Sequence, residues 1–292
     1  MHSACRQGPT PSHATRFCGS LLFLLLFSLL ATNAVARDST GSKADTSSSG
    51  IRTPKIDFIG NKAFSSEKLL EVLSNGWPRW FTASGSINPN APHEAADSLT
   101  AFYYDHGFLE VHVDQPQIAS ATDRVMIGIH EGPLYRVGSI AIEGELRLPR
   151  REVESQLTMR SEQPFRGSTL QQNVLALADF YSDRGFAYVN VDPRTKMDHE
   201  SHIVDVKFFI KPGDETWIDQ ITISGNTKTP EQVIRAALQI HEHDLYSARA
   251  FRESKARLDE LGLFSGTHIT TQPSDKSDEI NVEVNVVEKS KV

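Results

Sequence analysis

The densest grouping of titratable side chains is His241-Glu242-His243-Asp244, two imidazoles and two carboxylates within one short stretch. Such a loop can offer ligands to a divalent cation, and His199 and His202 add two more imidazoles beside a hairpin turn. A zinc site takes three or four ligands that converge on one point, and these histidines fall in turns of separate segments. A metal-dependent enzyme using His241, His243 and Asp244 is therefore the catalytic reading the residues allow, and it stands alone. The chain holds no phosphate-binding glycine loop, no Gly-x-Ser-x-Gly elbow and no His-Glu-x-x-His run. No general base paired with an oxyanion donor can be picked out. Trp77, Trp80 and Phe81, between Gly76 and Gly85, read as a packing loop rather than a cofactor slot. No catalytic residue, metal ligand or cofactor is assigned, and a non-enzymatic protein is expected.

Composition narrows the class further. The 292 residues include 30 Lys+Arg, 37 Asp+Glu and 2 Cys, a formal net charge of −7. That balance argues against a nucleic-acid grip, which needs a basic excess to displace counterions. Arg16 precedes the apolar run Leu21–Leu30, and Ala34-Val35-Ala36 follows it. A charged start, a short apolar centre and a small-x-small end read as a secretory signal peptide over residues 1–36. Its removal takes away Cys5, Cys18, Arg6 and Arg16, leaving a thiol-free chain of net charge 28 − 37 = −9. No later apolar run is long enough for a transmembrane helix. Residues 37–53, rich in Ser, Thr, Gly and Asp, read as a flexible linker.

From residue 54 one pattern occurs three times. Each copy opens on a short strand ending at glycine: Ile56–Gly60, Ile140–Gly144 and Ile221–Gly225. These glycines are 84 and 81 residues apart. Gly60-Asn61 and Gly225-Asn226 are turn dipeptides, whereas the second copy has Gly144-Glu145. A first helix follows, with Leu69, Leu70 and Leu73, then Val153 and Leu157 behind Pro149, then Val233, Ala237 and Leu238 behind a Thr229–Gln232 capping box. A second helix is clearest at Leu170, Val174, Leu177 and Tyr181, a single stripe starting from a Ser168–Gln171 capping box. The second helices end at Gly107, Gly185 and Gly262, 78 and 77 residues apart, so two independent glycine registers agree. Two strands close each copy. The last alternates with period two at Val125, Ile127, Ile129; Val204, Val206, Phe208, Ile210; and Ile280, Val282, Val284, Val286. One face of each sheet is then buried under helices and the other is wet. The expected fold is α+β: three tandem β-α-α-β-β domains, each a three-stranded mixed sheet on two helices, spanning 54–134, 135–215 and 216–292.

These signatures resemble POTRA domains, the periplasmic repeats of BamA-type outer-membrane assembly factors. The third copy carries the resemblance best, through Ile223-Ser224-Gly225-Asn226-Thr227, Tyr246, Arg257–Phe264 and Val284–Lys289. Phe102-Tyr103-Tyr104-Asp105-His106-Gly107 and the junction Tyr135–Ile140 match the other two, and together the copies resemble the third, fourth and fifth POTRA units. The family's first two units and its barrel have no counterpart here. A stand-alone module and a remnant that lost its function with the barrel are thus both open. The resemblance implies a periplasmic, outer-membrane-associated interaction protein whose partners are unfolded outer-membrane proteins or assembly-machinery lipoproteins. It also implies the binding edge, the first strand of each closing hairpin: Val111, His112 and Val113; Tyr188, Val189, Asn190 and Val191; Thr267, His268, Ile269 and Thr270. Strand addition there needs little from the partner's side-chain sequence.

Overall fold

The computed structural model describes residues 55–75, 88, 90–119 and 124–289. The expected signal peptide, the linker and the Trp77, Trp80 and Phe81 loop lie outside the described residues. The first repeat consists of β1 (Lys55–Ile59), α1 (Ser66–Asn75), α2 (Ala91–Tyr104), β2 (His112–Val113), β3 (Gln117–Ala119) and β4 (Arg124–His130). The second has β5 (Arg136–Gly144), α3 (Arg150–Glu154), α4 (Gly167–Ser182), β6 (Asn190–Asp198) and β7 (Ile203–Lys211). The third has β8 (Trp217–Ser224), α5 (Glu231–Ala237), α6 (Ala248–Glu260), β9 (Phe264–Pro273) and β10 (Glu279–Glu288).

In every repeat the last strand is central, parallel to the first and antiparallel to the middle one, giving orders β1-β4-β2, β5-β7-β6 and β8-β10-β9. The helix pair carries the chain across the sheet, as parallel pairing requires. The period-two residues face those helices. Val204, Val206, Phe208 and Ile210 are all buried, as are Ile280, Val282, Val284 and Val286. Each such side chain contributes roughly 1.5–3 kcal/mol by leaving water. Three separate apolar clusters result, one per repeat. In the first repeat the middle strand is split into β2 and β3, both paired to β4.

The opening glycines explain the imperfect second copy. Gly60, Gly144 and Gly225 have φ of +93°, +102° and +84°, and a Cβ on any of them would run into the main-chain oxygen of Ile129, Ile210 or Val286. In the first and third repeats a carboxylate then clamps the turn. Glu131 accepts the N–H groups of Lys62 and Ala63, and Glu288 accepts those of Lys228 and Thr229. Asn61 and Asn226 donate to Phe64 and Thr229 carbonyls in the same way. The second repeat has Pro212 after its last strand and Glu145 in place of asparagine, so clamp and asparagine are missing together.

Several helix starts differ from expectation. Neither Thr229 nor Ser168 caps its helix, since the N-caps are Pro230 and Arg166 without side-chain cap bonds. Thr229 is engaged by Glu288, and Ser168 by Asp105 of the preceding repeat. Pro149 is the N-cap of α3, again without a side-chain cap bond. Val233 and Leu70 are exposed; Ile234 is buried beside Ala237 and Leu238, while Leu69 and Leu73 are buried in the first repeat.

Candidate functional site

Two kinds of surface organise the chain: the sheet edges and the junctions between repeats. The first-strand edges of repeats two and three are occupied at their starts. Val137 of β5 exchanges hydrogen bonds with Gln163 and Glu162, and Ile218 of β8 with Asp244 and His243. The His241–Asp244 loop therefore lies along the margin of β8. Within it His241 Nδ1 lies 3.0 Å from Asp244 Oδ2, and His243 donates its backbone N–H to Ile218 at 2.6 Å. Among the described residues no group of three or more His, Cys, Asp or Glu side chains converges as a metal site.

The opposite edges carry no backbone partner beyond their own ladder among the described residues. They include most, but not all, of the residues expected there. His112 and Val113 form β2, Asn190 and Val191 open β6, and Thr267, His268, Ile269 and Thr270 lie inside β9. Val111, Tyr188 and Val189 are not in strands. Val111 and Val189 donate to Phe108 and Phe186 in the turn that follows each helix-ending glycine, and Tyr188 stands 62% exposed in the second of these turns. That turn delays the strand while the chain reverses direction. The three edges belong to three sheets and form no common site. Sequence reasoning also missed how far the strands run: β6 continues through Thr195 and Met197 to Asp198, and β9 through Thr271 and Gln272.

Thr267 is fixed on the helix side of β9. It is buried, and its hydroxyl donates to Asp259 of α6, whose carboxyl is held below its ordinary range by Lys255 first and Thr267 second. His268, Thr270 and Gln272 are exposed.

The two junctions are built alike. Tyr135 donates its N–H to the Gly107 carbonyl at 2.8 Å, and its own carbonyl accepts from Phe165 at 3.0 Å. Thr216 does the same between Gly185 and Tyr246, at 2.8 Å each. Asp105 and Asp183 accept the N–H groups of Ser168 and Arg249 in the first turn of the next repeat's helix, each at 2.7 Å. The sequence signal was an aspartate two residues before each of the first two helix-ending glycines. The first junction also holds a polar cluster. Glu110 accepts from the Tyr135 hydroxyl at 2.5 Å and lies 2.8 Å from His199 Nδ1, and these contacts hold its carboxyl below the usual range. Burial, then Glu110, pushes the Tyr135 phenol up to about 12.

The β-α-α-β-β repeat with a central last strand defines the class. The family profile "POTRA: Surface antigen variable number repeat" matches residues 52–132, 135–213 and 217–289, so the chain belongs to the POTRA family. It is similar to the outer membrane protein assembly factor BamA of Nitratidesulfovibrio vulgaris, 27% identical over 246 residues, covering 81% of this chain and 31% of that protein. It is similar likewise to BamA of Neisseria meningitidis serogroup B, 27% identical over 273 residues, covering 89% and 33%. The chain thus spans about a third of the length of these relatives. In fold it matches the crystal structure of Haemophilus influenzae BamA POTRA3-5, with a TM-score of 0.59 at 21% identity over 80% of this chain and 95% of that one.

Proposed function

We propose that this chain is a non-enzymatic interaction module of outer-membrane β-barrel assembly, working in the periplasm at the inner face of the outer membrane. Client or partner strands are bound by addition to a sheet edge. The observation that carries this reading is the asymmetry of the sheets. Loops of the chain itself bond the start of the first-strand edge in two repeats, at Val137 and Ile218, while every closing-hairpin edge keeps its outward main-chain groups free among the described residues. Burying such groups against another strand gives affinity without demanding a particular side-chain sequence. A family relationship to assembly factors, an export signal expected over residues 1–36 and a net charge of −9 in the processed chain fit this role. Among the described residues no helix is long and apolar enough to cross a membrane.

The test is binding of the purified chain to an outer-membrane β-barrel protein diluted from urea, with an unfolded all-helical protein as comparison. Saturable binding to the barrel protein alone is expected. Equal binding to both, or none to either, overturns the reading.

A further inference from the structure

The three edges that are free among the described residues are not chemically equivalent, and the direction in which each main-chain group points can be worked out. In β7 the Ile210 carbonyl accepts from Glu145, on the β5 side. Backbone groups alternate along a strand, so the even residues of β7 serve β5 and the odd ones serve β6. Asp192, Arg194, Lys196 and Asp198 pair with those odd residues. The outward positions of β6 are therefore Val191, Pro193, Thr195 and Met197. Proline has no N–H, so the middle of this edge lacks a donor. The inward residues Asp192, Arg194, Lys196 and Asp198 set a row of charges beside it. Prolines and charges are the devices by which edges resist pairing. In the first repeat the edge is cut in two. Val113 pairs with Ile129 and Gln117 with Met126, so an extra residue bulges out at 114–116, with Pro116 inside it.

The third edge has none of these blocks. Asp278 accepts from Trp217 on the β8 side, while Glu279 accepts from Ser274 and Lys289 donates to Leu263 on the other side. Odd residues of β10 thus serve β9, and their partners are Gly266, His268, Thr270 and Gln272. Thr267, Ile269 and Thr271 point their N–H and C=O groups outward. Before Pro273 the strand has no proline, and it has no Lys, Arg, Asp or Glu. The nearby ion pairs, Lys255 with Asp259 at 2.6 Å and Lys276 with Glu279 at 2.7 Å, are satisfied internally.

Resting on strand addition as the mode of binding, we infer that β9 is the edge used. Its occupant is an extended, proline-free segment of a partner polypeptide in which apolar and uncharged polar side chains alternate. On the helix side an incoming strand meets half-buried Ile269; on the other it meets exposed His268, Thr270 and Gln272. Such neighbours pair with an apolar residue on one face and a neutral polar one on the other, and give an incoming charge no counter-ion. Strands of transmembrane barrels have this alternation.

The experiment adds a synthetic peptide about ten residues long, alternating Val and Thr, to the purified chain, and follows amide hydrogen exchange by NMR. Exchange at Thr267, Ile269 and Thr271 is expected to slow. Thr271→Pro, which removes an exposed outward donor and leaves the β10 ladder intact, is expected to weaken binding roughly tenfold, a loss of about 1.4 kcal/mol. Thr195→Pro in β6 is expected to leave binding unchanged. Exchange in the unsubstituted chain carries the test if Thr271→Pro fails to fold. Slowed exchange at Thr195 and Met197, or at Gln117–Ala119, overturns β9 and leaves strand addition standing. Binding with no edge amide slowed, or no binding, overturns both. Slowed exchange at β9 without peptide, together with dimers in sedimentation, makes a second copy the occupant and overturns the partner segment.

Discussion

Asp183 ends α4 and accepts the backbone N–H of Arg249, 2.7 Å away, in the first turn of α6. A carboxylate is unfavourable at the C-terminus of its own helix and favourable at the N-terminus of another. Its position makes sense only if the two helices belong to adjoining repeats. Arg249 Nη2 adds a contact at 3.0 Å, and Arg252 reaches Asp179 at 3.1 Å. Asp105 and Ser168 repeat the backbone contact one junction earlier.

Asp183→Ala removes the acceptor for a first-turn amide and leaves Arg249 facing a half-dismantled ion pair. A loss of about 1–2 kcal/mol is expected, in the range of a missing helix cap. Asp105→Ala, with no arginine opposite among the described residues, is expected to cost about 1 kcal/mol. Urea unfolding measures both. Small-angle X-ray scattering of Asp183→Ala should show a broader distribution of intramolecular distances, and an unchanged profile counts against a junction role.

Gly185 has φ +99°, and a Cβ there would approach Leu245 of the next repeat to 2.8 Å. Gly262, at φ +68°, has open space around it. Alanine at 262 therefore meets backbone strain alone, about 1 kcal/mol. At 185 it meets strain and a clash, so a cost of roughly 2–3 kcal/mol is expected. Equal midpoints for the two variants in a denaturant series contradict this.

Glycine is not always dictated by conformation. Gly128 sits in the central strand β4 without a positive φ, and its Cβ would meet the carboxylate of half-exposed Asp114, with Cγ at 3.0 Å and Cβ at 3.4 Å. Rotation of that exposed side chain about its Cα–Cβ bond carries the carboxylate away and leaves a tolerable Cβ contact. Gly128→Ala is expected to be neutral or to stabilise by up to about 1 kcal/mol, because glycine weakens a strand interior. A thermal midpoint lowered by several degrees would contradict it.

Glu288 accepts backbone N–H groups of Thr229 and Lys228 and the Thr227 hydroxyl, which bring its pKa down from 4.5 to about 2. The folded value lies below the unfolded one, so the clamp contributes fully above about 4.5 and is lost as pH falls towards 2. Glu288→Gln should lower stability at pH 7, and the gap to the parent should close on acidification. A gap that stays constant down to pH 2.5 rules out the carboxylate as the cause.

Much of the architecture was written locally. Two glycine registers, Gly60/Gly144/Gly225 and Gly107/Gly185/Gly262, mark the places where the chain takes positive φ, and that requirement belongs to the residue itself. Period-two apolar residues named the buried face of β4, β7 and β10 for the same reason, since alternation is a property of any extended chain. Hydrogen-bond partners were another matter. Thr229 and Ser168 have the form of helix caps, yet Glu288 and Asp105, both some sixty residues away in the chain, engage them instead. Nor could a strand's composition say which of its backbone groups face a neighbour. Pro193 is harmless inside β6 because β7 lies on its other side, and Thr267, Ile269 and Thr271 have no main-chain partner among the described residues because β10 takes the residues between them. Sequence by itself determined conformation and buried face, which depend on a few adjacent residues. Tertiary structure alone decided pairing, because a donor bonds whichever acceptor packing brings within reach.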